Sequence, residues 1–191
     1  TNDIYLTEIE INNIYNCELE FDYLDNARDW FIIGLRTGLR VSDLLKLDKS
    51  YIDDDGYICL TTKKTDYPVI IPLHEQVKKI LKKRNGEFPR KISDQKFNKY
   101  IKIVAEKSGL TQKVNGARID EIEISENNKK KTIHRKVHKK FPKFELVTSH
   151  TCRRTFATNL YGKLDTLTIM KITAHSTEKQ FLSYIKITPR E

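Results

Sequence analysis

The sequence contains few glycines and prolines, and it has no long apolar run. Seven Gly and five Pro among 191 residues are too few for a low-complexity chain. No stretch of 18 apolar residues occurs, so no membrane span is predicted. The first residues, TNDIYLTEIE, lack a basic region followed by an apolar stretch, so no signal peptide is predicted. With 191 residues, of which 38% are hydrophobic, the chain is long and apolar enough to bury a hydrophobic core.

Motifs for metal and nucleotide binding are also missing. The three cysteines, Cys17, Cys59 and Cys152, are odd in number and far apart, which indicates reduced thiols. His134 and His138 share one face if they lie on a strand, but about 13 Å apart, so we predict no metal site. The sequence has no Walker A loop and no Gly-x-Gly-x-x-Gly, so no nucleotide cofactor is predicted.

Charge is distributed unevenly along the chain. Residues 1–60 carry 13 acidic and five basic side chains, a net charge of −8, whereas residues 61–191 carry a net charge of +17. A basic region of this size favours a polyanionic partner, most simply nucleic acid. The alternative is a solvated lysine-rich surface with no partner.

Hydrophobic periodicity predicts a fold that is mostly α with a small antiparallel β-sheet (α+β). A capping box at Thr7 and Glu10 begins the first helix, and Gly38 ends the second. Two β-rich runs within 51–71, joined by KKTD, predict a hairpin. A second, basic hairpin or loop is predicted within 111–146, with strands at 118–124 and 131–141 around a turn-like tract at 127–131. Helices are predicted over 7–17, 22–37, 41–47, 74–85, 93–108, 149–162, 165–173 and 177–186.

Four residues near the carboxy terminus suggest phosphodiester chemistry. His150 and Arg153 are three apart and share one helix face; His175 follows 22 positions later, and Tyr184 nine after that. A phenol can attack phosphorus when neighbouring cations favour its phenolate. Guanidinium groups stabilise the charge that spreads over the non-bridging oxygens of the transition state. Taken alone, Tyr184 would be interpreted as a core tyrosine beside Phe181.

These residues, in the runs SHTCRRTFATNLYGK and TAHSTEKQFLSY, resemble the catalytic domain of the tyrosine recombinase (phage integrase) family. The family's two other catalytic residues are matched by Arg40 in TGLRVSDLL and by Lys64 in CLTTKKTDYPVIIPL. The resemblance implies that Tyr184 is the nucleophile and Lys64 the general acid. It further implies that His150 assists proton transfer from Tyr184, and that His175 hydrogen-bonds the scissile phosphate.

The resemblance also implies a function for the whole chain. It predicts a metal-independent, cofactor-free site-specific DNA recombinase that forms a 3′-phosphotyrosine, similar to integrases of conjugative or mobilisable transposons. Expected partners are double-stranded DNA attachment sites, a homotetramer of the full-length protein, and accessory directionality or DNA-bending proteins in the bacterial cytoplasm. Residues 1–191 are expected to form one catalytic domain of a longer recombinase, without its DNA-clamping N-terminal domain. The alternatives are a type IB-like topoisomerase and a DNA-binding module without catalysis.

Several individual assignments stay open at this stage. Arg40 could simply pair with Asp43, and Lys63 rivals Lys64 by position. Ala174 stands where the family often has Gly, and Cys152 where it often has Leu. Non-catalytic DNA contacts are predicted at Lys63, Arg154, Lys129, Lys130, Lys131 and Arg135.

Overall fold

A computed structural model describes residues 3–126 and 129–185. Within them, eight α-helices and two antiparallel β-hairpins follow in the order helices, hairpin, helices, hairpin, helices. The helices are α1 (Glu8–Asn16), α2 (Asp22–Thr37), α3 (Val41–Leu44), α4 (Glu75–Lys83), α5 (Asp94–Lys107), α6 (Ser149–Leu160), α7 (Thr166–Ile172) and α8 (Glu178–Tyr184). The strands are β1 (Tyr57–Thr61), β2 (Pro68–Pro72), β3 (Lys113–Glu126) and β4 (Lys129–Pro142).

Helix α2 is the central element of the core. Trp30, Phe31, Ile32 and Ile33 are fully buried, because α1, α4, α5 and α6 pack around this helix. The helix ends at Gly38, whose φ of +63° is readily adopted only by glycine. A Cβ at this position would lie 2.5 Å from the ring of Phe156 on α6. This close approach brings the loop after α2 against α6.

The first hairpin places a tight turn beside the helical core. Strands β1 and β2 pair antiparallel, and Lys63–Thr65 form the turn between them. Thr62 fixes the turn, since its backbone N–H donates to Tyr67 O at 2.9 Å and its hydroxyl lies 2.7 Å from that of Thr65. Alternate residues Ile58, Leu60, Val69 and Ile71 point into the core.

The second hairpin is a long arm with one basic strand. Its strands have 14 residues each and pair from Lys113–Pro142 at the base to Glu126–Lys129 at the far end. Strand β4 carries seven Lys and Arg residues and no Asp or Glu. The base is fixed by Gly116, where an added Cβ would lie 2.3 Å from Leu146. It is also fixed by Lys143, which forms an ion pair with Glu10 at 2.7 Å.

The structure confirms the predicted fold class and the type of every predicted element. The capping box at Thr7 and Glu10 is present, with hydrogen bonds of 3.3 and 2.8 Å. The bounds differ: the helix predicted over 41–47 ends at Leu44, several other helix ends shift by one or two residues, and the second hairpin is longer than its sequence pattern indicated. Backbone pairing continues into polar residues such as Asn115 and Lys140, where side-chain periodicity carries no signal.

Some predictions lie at the edge of the described residues. The helix predicted over 177–186 ends at Tyr184 in the structure. Its predicted last residue, Lys186, lies outside the described residues, as do Asn127 and Asn128 of the predicted turn. All three cysteines are described and are free thiols. In the described ranges, no helix is long and apolar enough to cross a bilayer.

Candidate active site

Arg153 connects three parts of the site. Its position on α6 lets Nη1 donate to the carbonyl of Gly38 at 2.8 Å, and Nη2 donates to the carbonyl of Thr173 at the end of α7. The residue is 6% exposed. A planar guanidinium suits this task because its donors lie in a fixed fork. Arg153 thereby fixes the loop before α3 relative to the turn that carries His175.

Arg40 lies next to this junction, at the start of α3. Its Nη1 is buried and has no hydrogen-bond partner in the part of the chain that the structure describes. The ion pair with Asp43 that the sequence left open is not among the ion pairs of the described residues. Asp43 instead binds the ammonium of Lys46 at 3.1 Å and accepts the backbone N–H of Lys63 at 3.1 Å. Arg40 is the N-cap of α3, and Asp43 lies within its single turn.

His175 is held by the way α7 ends. The N–H of His175 donates to Met170 O at 2.9 Å, and that of Ala174 donates to Lys171 O at 3.2 Å, the two bonds of a Schellman motif. Ala174 has a φ of +48°, which explains why glycine suits this position. The His175 Nδ1 lies 2.8 Å from the hydroxyl of Thr173. Helix termination therefore aims the imidazole at the site.

Tyr184 is the last residue of α8 and faces His175. Their ring centroids are 4.7 Å apart, with an interplanar angle of 52°. The phenol donates to the main-chain carbonyl of His150 at 3.3 Å, not to its imidazole. Tyr184 is half-buried and also packs against the core, while its role as the nucleophile stays a prediction.

The cluster carries an excess of positive charge. Burial lowers the pKa of Arg153 to about 10; Tyr184 opposes this effect and Arg40 adds to it. Burial, then the charges of Arg153 and Arg40, lower the pKa of His175 to about 4, so its imidazole is neutral at pH 7. Desolvation and the two neighbouring arginines of α6 also lower the pKa of His150. A site of this kind favours an anion.

The phenol of Tyr184 is subject to opposing effects. Burial raises its pKa above the ordinary value, and the charges of Arg153 and Arg154 oppose that rise. A phenolate is stabilised by adjacent cations, so these arginines favour the nucleophilic form.

The turn between β1 and β2 borders the same site. Lys63 and Lys64 are exposed in this turn. Their neighbour Thr65 lines a cavity of about 260 Å³ together with His175 and Tyr67. Asp43 holds the backbone of Lys63, so the residue beside Arg40 also positions the turn.

The predicted DNA contacts fall into two groups. Arg154 lies against Tyr184: its Nε donates to Tyr184 O at 3.1 Å, and its Nη2 binds Asp3 at 3.2 Å. Lys130 and Arg135 are exposed on β4, where Lys130 also pairs with Glu123 at 3.5 Å. The side chains of Lys129 and Lys131 lie outside the described residues. All these contacts, including that of Lys63, stay predictions.

Sequence reasoning missed two residues that shape the site, Thr173 and Asp3, and gave a third, Asp43, a different partner. Thr173 supplies its carbonyl to Arg153 and its hydroxyl to His175. Asp43 positions the turn, and Asp3 binds Arg154. The hydroxyl two residues before His175 could have been noticed, but the other contacts join residues far apart in the sequence. As for metals, no group of three His, Cys, Asp or Glu side chains able to hold an ion occurs among the described residues.

Solved structures of similar fold include DNA integrases and a recombinase. In a lambda integrase dimer bound to a COC′ core site, the superposition covers 100% of this chain and 62% of the integrase chain, with a TM-score of 0.64 and 20% sequence identity. XerA recombinase matches 98% of this chain and 60% of its own, with a TM-score of 0.65 and 18% identity. The Tn1549 transposon integrase in complex with circular intermediate DNA matches 97% and 61%, with a TM-score of 0.56 and 18% identity.

At these identities the likeness shows a common fold, and the chain spans about three-fifths of the length of these relatives. No curated protein sequence matches it. The protein-family model described as "Phage integrase family" matches residues 5–191 of this chain. Because that match covers nearly the whole sequence, the chain belongs to the phage integrase family.

Proposed function

We propose that this chain is the catalytic part of a site-specific DNA recombinase that integrates or excises a mobile element. The observation that carries the proposal is the buried Nη1 of Arg40, which has no partner among the described residues and lies beside Arg153, His175 and Tyr184. An unpaired buried donor is unfavourable in a fold and is retained where a ligand accepts from it. The non-bridging oxygens of a phosphodiester match the charge and hydrogen-bonding needs of this cluster.

In the proposed reaction, the oxygen of Tyr184 attacks the phosphorus and forms a phosphotyrosyl bond. The bond from phosphorus to the deoxyribose 5′-oxygen breaks, and Lys64 donates the proton that this oxygen needs. Arg40 and Arg153 stabilise the charge on the non-bridging oxygens. A 5′-hydroxyl of another duplex then reverses the step, so the phosphodiester energy is kept in the phosphotyrosyl bond. These cations supply the charge that a metal ion would otherwise provide.

The two histidines have distinct parts in this proposal. His150 accepts the phenolic proton as Tyr184 attacks. Thr173 donates its hydroxyl proton to Ile169 O at 2.7 Å, so its oxygen accepts from His175 Nδ1–H. The Nε2 of a neutral His175 then has only a lone pair. The charge of a bound phosphate raises the pKa of His175, so that the imidazole takes up a proton. The protonated His175 then donates from Nε2 to the phosphate.

The partners follow from the charge and from the relatives. Lys63, Lys130 and Arg135, together with Lys129 and Lys131, are proposed to contact DNA phosphates, which give affinity without sequence readout. A lambda integrase tetramer bound to a Holliday junction has a similar fold, with a TM-score of 0.63. It supports a homotetramer of the full-length protein. We place the reaction on DNA in the bacterial cytoplasm, with accessory DNA-bending or directionality proteins.

The test is formation of a covalent protein–DNA adduct on a nicked substrate. After cleavage, the short fragment that carries the 5′-hydroxyl dissociates, so the strand cannot be rejoined and the adduct accumulates. The unaltered protein is expected to form the adduct without added metal and in the presence of a chelator. Tyr184→Phe is expected to form none and to keep its DNA affinity, because only one hydroxyl is removed. Tyr161→Phe, at the end of α6, is the matched control and should react normally.

Three results would contradict the proposal. An adduct with Tyr184→Phe would place the nucleophile elsewhere. DNA binding without any adduct from the unaltered protein would indicate a binding module. Relaxation of supercoiled DNA without defined sites would indicate a topoisomerase.

A further inference from the structure

Arg154 contacts the nucleophilic residue on its backbone and on its ring. Its Nε donates to the carbonyl of Tyr184 at 3.1 Å. Its guanidinium carbon lies 4.5 Å from the centroid of the Tyr184 ring. On the outer edge, Nη2 binds Asp3 at 3.2 Å. The adjacent Arg153 binds the carbonyls of Gly38 and Thr173 and interacts with Tyr184 only through the phenol, not through the backbone or the ring face.

We propose that Arg154 is a positioning residue for Tyr184, which holds the backbone and ring of the nucleophile and favours its phenolate. This inference rests on the proposed function, in which Tyr184 attacks the phosphate. It gives Arg154 a role in the chemistry without contact to DNA, in place of the phosphate contact predicted from the sequence.

The backbone contact matters because α8 is a short helix. It has seven residues, and its last carbonyls have no partner within the helix. Burial of Phe181 and Ile185 holds one face of this segment to the core. The hydrogen bond from Arg154 satisfies the Tyr184 carbonyl and joins α8 directly to α6. Loss of this bond frees the end of the helix where the nucleophile is located.

The ring contact matters because attack creates negative charge on the phenol. A guanidinium over an aromatic face is attracted to the ring, and more strongly to a phenolate. Burial raises the pKa of Tyr184, and the charge of Arg154 is one of the effects that counter this rise. Asp3, whose side chain is 48% exposed, binds Nη2 and so helps to fix the plane of the guanidinium.

The geometry favours positioning over phosphate contact. The Arg154 side chain is only 11% exposed, and two of its nitrogens are already bound within the protein. A phosphate-binding arginine needs its donors directed outward in a fork. Here Nε and Nη2 are directed to a carbonyl and a carboxylate.

The test compares Arg154→Gln and Arg154→Lys with a matched control, Arg36→Gln. Arg36 resembles Arg154 in burial and partners: its side chain is 10% exposed, and it pairs with Glu8, which is 48% exposed. Adduct formation is measured against pH, and the Tyr184 phenol is titrated by NMR with carbon-13 tyrosine, assigned through Tyr184→Phe. The titratable and charged groups around the phenol are Arg153, Arg154, His150, His175, Cys152 and Asp3.

Arg154→Gln is expected to slow adduct formation by about 10²-fold, as a misplaced nucleophile does, at unchanged DNA affinity. It should also raise the pKa of Tyr184 and move the pH profile of cleavage upward. Arg154→Lys should keep the pKa near its original value, because the charge remains, yet react slowly because the Nε bond is lost. Arg36→Gln should change neither rate nor pKa.

Other outcomes overturn the inference. If Arg154→Gln slows the reaction only in proportion to lost DNA affinity, with the pKa of Tyr184 unchanged, the residue is a phosphate contact. If Arg36→Gln gives the same defect, the effect is general stability. The NMR titration needs no cleavage, so a shifted pKa would stand even if Tyr184→Phe still formed an adduct and the proposed function failed.

Discussion

Replacing Arg40 with methionine should increase stability while it removes activity. Leaving a buried donor unsatisfied costs about 1–3 kcal/mol, and Nη1 of Arg40 is such a donor. Methionine removes this cost and the repulsion between Arg40 and Arg153, while its flexible chain fills similar space. We therefore expect the free energy of unfolding to rise by about 1 kcal/mol, or the Tm by roughly 2–4 °C.

Cleavage by the same variant should fall by about 10²–10³-fold, the usual effect of losing one preorganised donor. Arg40→Lys should not restore the full rate, because the fork is lost. Arg153→Met should be inactive as well, but less stable than the unaltered protein. It loses two hydrogen bonds from a charged donor, each contributing about 1.5–3 kcal/mol, to Gly38 O and Thr173 O.

Urea and thermal denaturation followed by circular dichroism measure the stabilities, and the nicked substrate measures the reaction. The reasoning is refuted if Arg40→Met lowers the free energy of unfolding by 1 kcal/mol or more. It is equally refuted if Arg153→Met proves the more stable of the two variants. In either case, the guanidinium of Arg40 would be part of the structural framework, and its unpartnered Nη1 would say nothing about a ligand.

Three further predictions concern the turn, the end of α7 and the basic arm. Lys64→Ala should cleave an ordinary phosphodiester slowly but a 5′-bridging sulfur substrate much faster, since a thiolate leaves without a proton. Lys63→Ala, the control, should show neither effect. If sulfur fails to rescue Lys64→Ala, Lys64 is not the general acid. Ala174→Gly should stabilise the fold by up to about 1 kcal/mol in denaturation experiments, because it relieves a left-handed alanine; a loss of stability would contradict the strain. Deleting residues 126–132 leaves the pairing of Ile122 with Ile133 intact, so the protein should still fold. DNA binding should weaken and depend less on salt, because basic side chains are removed. Loss of folding would show that the arm belongs to the core.

The sequence alone was enough to predict the elements of the fold. Helix boundaries are set by local chemistry, such as the capping box at Thr7 and the left-handed Gly38. Strand alternation located both hairpins and the Lys63–Lys64 turn. The length of β3 and β4 was beyond such patterns, because backbone pairing extends over residues whose side chains show no alternation.

For the site, the sequence supplied the candidates and only the tertiary structure supplied their partners. The spacing of His150, Arg153, His175 and Tyr184 is a linear property, so a motif could reveal it. Which carbonyls Arg153 binds, why Arg40 does not pair with Asp43, and why Arg154 lies over Tyr184 depend on packing between segments distant in the chain. Burial and charge at the site are sums over such neighbours, and no local window of sequence contains them.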